Sequence, residues 1–473
     1  MQAISVTEKT TSELIQLILS GAAEERSSAA ETMIQRGSEA AEQLVPLLSN
    51  QDNEVRDTAI WALCEINENI DHLLINALSH DNTTIREGAA YILGIKKRVD
   101  TVPHLVDHLK DESEDVRQSS AWALVRTGEP SIPFLIKALS DNSIIVQELS
   151  LWSLEKIGES AVEPLLENFT TFAPEMRIMI ENLLIDISEG MEELLIKYLD
   201  SEDIDFQLSL LRILGQMRSE LTTDILMKYL KSDHRPLRQQ AVLSLSRADD
   251  TVIPAIFGAI SNGQIPIDDD IISLITRIRK PAVPYLLEFL CDPNVDLRIM
   301  AAKALGIISD KRALDPLINS LEDNNSRVRE TAARALGIME HPNAVEPLMG
   351  LLMNPDHHVA ISNSVHALSQ LADIELVCKT AENFESYKPV VQQRIIQLLG
   401  NFQCEMSESI MLQSINSDNE DTRRYAVRAL GKCGNERSIE PLKKVIIEDI
   451  NIISDEARHS LKSIHDRLKR NNL

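Results

Sequence analysis

Aromatic residues are scarce in this chain. Trp, Tyr and Phe together make up 4% of 473 residues, with three, six and eight copies. Sheet proteins lean on aromatic and β-branched side chains, whereas here Leu, Ile, Ala and Val carry the apolar content, which suits packed helices. Glycine (16) and proline (18) are sparse too, which excludes collagen-like and low-complexity chains. The five cysteines, Cys64, Cys291, Cys378, Cys404 and Cys433, are odd in number, far apart in sequence and form no CxxC. That reads as reduced thiols in helix cores, with neither disulfides nor zinc, in a cytoplasmic protein. No stretch approaches the ~20 apolar residues of a membrane span. The start, "MQAISVTEKTTSELIQLILSG", is too short and interrupted in its apolar part for a signal peptide.

Positive charge is also short. The formal net charge is −26. Residues 1–236 hold 20 Lys and Arg against 41 Asp and Glu, and residues 237–473 hold 27 against 32. A field of that sign repels nucleic acid and anionic lipid and favours basic partners. The same acidity also serves solubility.

What the chain has is self-similarity. "VRDTAIWAL" (55–63), "IREGAAYIL" (85–93), "VRQSSAWAL" (116–124), "LRIMAAKAL" (297–305), "VRETAARAL" (328–336) and "TRRYAVRAL" (422–430) are copies of one phrase. Anchored on the last residue, the copies fall at Met33, Leu63, Leu93, Leu124, Leu154, Leu184, Leu214, Leu245, Ile275, Leu305, Leu336, Leu368, Leu399, Leu430 and Leu461, spaced 30 to 32 residues apart. The chain is thus one continuous array of about fifteen units over residues 1–473. Units are regular over 11–170, degenerate over 171–280 and regular again over 281–473.

Each unit reads as two helices. In "RALDPLINSLEDNNSRVRETAARALGIME" (312–340) the first is "ALDPLINSL", with Pro316 in its opening turn, and the second is "RVRETAARALGIM". Gly follows the anchor at Gly94, Gly215, Gly306, Gly337, Gly400 and Gly431, where a missing Cβ lets helices approach closely. One such pair cannot bury its apolar stripe alone. Stacked pairs can, and the result is an all-α solenoid.

The pattern V-R-x-x-A-x-x-A-L-G followed by A-V-x-P-L-I-x-x-L-x-D resembles the short HEAT-like repeats of the phycobilisome-lyase type. "VRETAARALGIMEHPNAVEPLMGLL" (328–352) follows it throughout. The resemblance spans nearly the whole chain and implies a right-handed α-solenoid whose second helices line the concave face. It implies little about function, because such repeats serve mainly as binding scaffolds.

At 100° per residue, positions −8, −4, −1 and 0 from the anchor share one face and are apolar or small. They form the core, and −6, −5 and −2 lie opposite. Position −7 is Arg in nine units: Arg26, Arg56, Arg86, Arg117, Arg177, Arg238, Arg298, Arg329 and Arg423. An Asp often precedes it by four to six residues, as at Asp52, Asp81, Asp292, Asp323 and Asp418. This predicts an Arg–Asp ladder between units and turns.

Position −2 carries Trp61, Tyr91, Trp122 and Trp152 in four consecutive units, so every tryptophan sits in one slot. Position −6 of those units is Asp57, Glu87, Gln118 and Glu148. Rings beside acids, repeated at ~10 Å, suit a basic, extended segment of another protein held on the concave surface. The structural alternative lays the rings on neighbouring helices. Units ten to fourteen present Lys303, Arg334, Arg394, Arg424 and Arg428 instead, a second, basic groove patch.

Catalytic signatures are missing. No GxxxxGK[ST], GxGxxG or GxSxG occurs. His104 and His108 stand at i, i+4 with Asp111 nearby, but no third His is in reach. "HH" (357–358) falls in a turn. Asp268, Asp269 and Asp270 open a helix and read as capping groups rather than a metal site. Deoxyhypusine hydroxylases share the architecture and use His-Glu dipeptides for iron, whereas none of the eleven His here precedes Glu. HEAT-like DNA glycosylases need a basic groove, which the acidic half opposes. Bilin lyases are nearer relatives by repeat type, though repeat similarity alone does not carry lyase activity and no residue here can be assigned it. The reading is a monomeric, non-catalytic protein-binding scaffold without metal or cofactor, and without a nucleic-acid or membrane partner. The alternative is a bilin lyase-like enzyme or chaperone subunit holding a conjugated ligand.

Overall fold

The computed structural model describes residues 6–217, 219–247, 250–356, 361–448 and 452–471. Those residues form 30 α-helices joined by turns and short 3-10 segments. They fall two to a unit over the fifteen units that the anchors predict. The chain divides into two compact parts, Met1–Ile225 and Leu226–Leu473. The division lies within 171–280, where the repeat pattern weakens.

The first part contains the second helices α1 (Asn53–Glu65), α2 (Thr83–Lys96), α3 (Glu114–Thr127) and α4 (Ile144–Ile157). Each packs beside the next, and the short first helices form a second layer. Side-chain caps start two of the four: Asp52 accepts the Glu54 N–H at 2.9 Å, and Asn82 accepts the Thr84 N–H at 2.9 Å. Gly128 and Gly158 end α3 and α4 at φ 79° and 81°. A Cβ at either would meet nothing within 4 Å, so glycine is there for its left-handed backbone rather than for space.

In the second part the corresponding helices include α5 (Asp269–Ile278), α6 (Val295–Ile308), α7 (Ser326–Met339), α9 (Pro389–Leu399) and α11 (Glu420–Cys433), with α8 (Ile374–Ala381) and α10 (Glu405–Ser414) as first helices. Asp268 caps α5 through the Ile271 N–H at 2.9 Å, while Asp270 pairs with Arg238 at 3.2 Å and Asp269 with Lys303 at 2.9 Å. The three carboxylates are therefore all engaged in capping and pairing.

The core positions are buried as the periodicity requires. In α1, Val55, Ala59, Ala62 and Leu63 occupy −8, −4, −1 and 0, and all are buried. A fully buried Leu anchor contributes roughly 1.5–3 kcal/mol, and stacking repeats that gain along the array. Glycines after the anchors mark close helix-to-helix approaches. A Cβ on Gly94 would lie 2.7 Å from the Ala123 Cα, and one on Gly306 2.7 Å from the Ala335 Cα. Alanine at −1 of the next unit completes that contact.

The arginine ladder takes a more specific form than sequence spacing indicates. Arg86 Nη1 donates to the His80 and Asp81 carbonyls of its own turn at 3.0 and 3.1 Å. Its Nε and Nη2 reach both oxygens of Asp111, in the next unit, at 2.9 Å. Arg298 repeats this with the Asp292 and Pro293 carbonyls and Asp323. Within a unit the partner is therefore the backbone carbonyl of the preceding Asp. The carboxylate goes to the neighbour.

Candidate functional site

The ring row lies on α1 to α4. Trp61 and Tyr91 are each 40% exposed and Trp152 is 38% exposed. Trp122 is half-buried. Tyr91 and Trp122 stack with centroids 4.9 Å apart and planes 9° from parallel. The Trp122 ring also lies over the backbone at Gly94, whose added Cβ would sit 2.9 Å from its edge. The Arg126 guanidinium stands 5.5 Å from the Trp122 ring centroid. Trp122 thus follows the alternative in which a ring lies on the neighbouring helix, whereas Trp61, Tyr91 and Trp152 stay exposed. The Trp122 faces are engaged within the chain, because Gly94 lets the ring lie down on α2.

Two clefts run along this face. One of about 590 Å³ is lined by Asp57, Trp61, Cys64, Glu87, Tyr91 and Ser119, among others. The next, of about 530 Å³, is lined by Tyr91, Gln118, Ser119, Ala121, Trp122, Leu149 and Trp152. The fold therefore brings the four rings together with Asp57, Glu87 and Gln118, while Glu148 lies exposed at the end of the row. Partial burial pushes the Glu87 carboxyl up, Asp115 adds to that, and Arg56 opposes it. Gln118 donates to Glu114 at 2.8 Å. Burial pushes the Cys64 thiol up to about 11, so it lines the cleft as an apolar group.

The basic patch comes apart. Arg394 is buried, and its Nη1 donates to the carbonyls of Leu352 and Asn354 at 3.1 and 2.6 Å. It closes the end of the preceding unit's first helix and does not belong to an open groove. The long side chain finds carbonyls left free at that helix end, a contact that helical phase on α9 alone does not reveal. Lys303 pairs with Asp269, and Arg424 and Arg428 share Glu456. Of the five, only Arg334 is exposed with no ion pair among the described residues.

His108 Nδ1 bonds back to the His104 carbonyl at 2.7 Å, and Asp111 is held by Arg86, so that trio is not assembled as a ligand set. His357 and His358 lie outside the described residues. Among the described residues, no group of three or more His, Cys, Asp or Glu is placed to hold a metal ion. Nor is any helix long and apolar enough to cross a membrane. Sequence spacing missed one close pair, Cys378 and Cys404, whose sulfurs stand 3.5 Å apart. Their 26-residue separation is nearly one repeat, and that was the available signal.

The family described as HEAT repeats matches residues 11–94, 70–155, 102–183, 271–326, 283–369 and 378–462. The chain belongs to the HEAT repeats. No curated protein matches it. Among solved structures, importin beta in an ammonium sulfate condition is 14% identical, with 96% of this HEAT-repeat chain and 72% of that chain covered and a TM-score of 0.34. The karyopherin Kap121p bound to the extreme C-terminus of the protein phosphatase Cdc14p is 15% identical, covering 99% and 62% with a TM-score of 0.32. Human deoxyhypusine hydroxylase in complex with glycerol is 19% identical, covering 72% and 97% with a TM-score of 0.23. These likenesses concern the HEAT-repeat fold alone.

Proposed function

We propose that this HEAT-repeat chain is a non-catalytic scaffold that holds a basic, extended segment of another protein along the face of α1 to α4. One observation carries the reading. Trp61, Tyr91 and Trp152 remain about two-fifths exposed on neighbouring helices, beside carboxylates and two clefts. Large rings left in water lose stabilisation that burial would supply, and a cluster of them marks an interaction face. The rings offer rigid apolar area and cation–π faces, and Asp57, Glu87 and Glu148 offer charge complementarity. The partner fitting this chemistry alternates Lys or Arg with apolar residues.

The test uses Trp61→Ala with Trp152→Ala, the two exposed ring positions at either end of the row. The double variant is expected to keep the wild-type helical circular dichroism and to bind a nine-residue Lys/Leu peptide at least tenfold more weakly. Unchanged affinity would refute the reading. Trp122→Ala is the contrasting variant. It removes packing on Tyr91 and Gly94, so stability is expected to fall by about 2 kcal/mol.

A second reading keeps the phycobilisome-lyase subtype and gives the same face to a flat, conjugated ligand such as a bilin. The cleft of about 530 Å³ bounded by Tyr91, Trp122 and Trp152 favours it, since its size falls in the ~300–1,000 Å³ range of small-molecule sites. Saturable quenching of Trp fluorescence by a bilin, absent from Trp152→Ala, would support this reading over the first.

A further inference from the structure

We propose that Cys378 and Cys404 form an oxidative modification site, a thiol pair that hydrogen peroxide converts to a disulfide linking two consecutive repeats. Cys378 lies on α8, and Cys404 caps the start of α10, the first helix of the next unit. Their sulfurs are 3.5 Å apart, already in contact, and both residues are partly open to solvent. A disulfide needs ~2.05 Å between sulfurs. Side-chain rotation at a residue that only flanks a helix, as Cys404 does, supplies much of that movement.

The surroundings distinguish the two thiols. The Cys404 sulfur accepts the Ser407 N–H at 3.3 Å and lies 2.9 Å from the Ser407 hydroxyl. Burial pushes the Cys404 thiol up. The Ser407 groups and the Cys378 thiol more than offset it, so its value falls below that of a free cysteine. Burial first, and then the contact with Cys404, holds the Cys378 thiol up. Cys404 is therefore the attacking thiolate and Cys378 the resolving thiol. The other cysteines lack this arrangement. Burial pushes Cys64 and Cys433 up to about 11 each, Cys433 lies against the Met411 sulfur at 3.4 Å, and Cys291 is exposed without a neighbouring thiol.

The chemistry balances with peroxide as the oxidant. The Cys404 thiolate attacks one peroxide oxygen, the O–O bond breaks, and the departing hydroxide takes a proton to become water. Cys404 is left as a sulfenic acid. The Cys378 sulfur then attacks the Cys404 sulfur, the S–O bond breaks, and the oxygen leaves with two protons as a second water. Two thiols are oxidised and one peroxide is reduced. The second step crosses 3.5 Å within one molecule, so a small thiolate fraction at Cys378 suffices. The bond ties α8 to the cap of α10 and locks one step of the stack.

The test treats the full-length protein with equimolar hydrogen peroxide and follows each thiol by alkylation and peptide mapping. The expected result is a Cys378–Cys404 peptide two mass units below the sum of its reduced halves, reversed by dithiothreitol. Free thiols should fall from five to three, with Cys404 consumed at least tenfold faster than Cys64 or Cys433. In Cys378→Ser, Cys404 should stop at the sulfenic acid and be trapped by dimedone. Serine is a good helix cap, so Cys404→Ser should fold and form no link. Three results would overturn the proposal: no Cys378–Cys404 peptide, equal loss of all thiols, or Cys291 linking two copies while Cys378 and Cys404 stay free.

Discussion

Trp122 and Trp152 fill the same slot of consecutive repeats, yet their surroundings differ. Both line one cleft, but Trp152 stays 38% exposed, whereas Trp122 is stacked on Tyr91 and laid over Gly94. The preceding unit offers a ring in the same slot to both, but only Trp122 has a glycine to lie over, Gly94, where Val125 stands before Trp152. Slot position was legible in the sequence, but the ring's resting place was not. The same holds for Asp111, read beside His104 and His108 but held by Arg86, with side chains 8% exposed on both sides. Burial pushes the Asp111 carboxyl up, and the hydrogen bonds from Arg86 and Ser113 outweigh it, leaving its value lowered. A lowered acid stabilises the fold above the ordinary aspartate value of about 3.9, and that contribution is lost as pH falls through the lower folded value. Asp111→Ala leaves the buried Arg86 charge with only the exposed Glu112, at 3.2 Å, as an ion partner, and should cost about 3 kcal/mol at pH 7. Thermal unfolding from pH 7 to pH 3 should show the gap to wild type closing on acidification. A gap independent of pH would mean the pair contributes packing and no charge.

At the scale of the element, the helix-to-helix contact is set by small residues. Gly306 on α6 faces Ala335 on α7, and an added Cβ would lie 2.7 Å from both its Cα and its Cβ. Alanine is worth about 1 kcal/mol over glycine inside a helix, but overpacking against a backbone costs ~1–3 kcal/mol. Gly306→Ala should therefore destabilise by up to about 2 kcal/mol. Gly350, inside the helix Val345–Met353, meets nothing within 4 Å of its added Cβ. There only the propensity term acts, and Gly350→Ala should stabilise by about 0.5–1 kcal/mol. Urea denaturation of the two variants checks the contrast, and like signs would refute it. The glycine slots after the anchors were readable from the repeat. Arg394 was not, because its carbonyl partners at Leu352 and Asn354 lie about forty residues back, on a different helix.

For the whole molecule, charge is the property that sequence and fold share. Residues 1–225, one compact part, hold 17 Lys and Arg against 40 Asp and Glu, while residues 226–473 hold 30 against 33. The proposed ring face thus sits in the strongly acidic part. Capture of a basic peptide there should weaken at least tenfold between 50 and 500 mM salt, because the Debye length shrinks from above 10 Å toward ~4 Å. Titration calorimetry at the two salts measures it. Affinity unchanged by salt would assign binding to the rings alone.

The period of about 31 residues, the pairing of helices and the buried positions were all determined by sequence. They depend on apolar spacing within one helix, and i, i+3 and i+4 neighbours are fixed by helical geometry. What only tertiary structure decided lies between repeats. There a side chain meets groups 25 to 42 residues away, and the outcome depends on its reach and on a neighbour's bulk. That is why Trp122 turned inward, why Arg394 left the groove, and why two cysteines far apart in sequence came into contact.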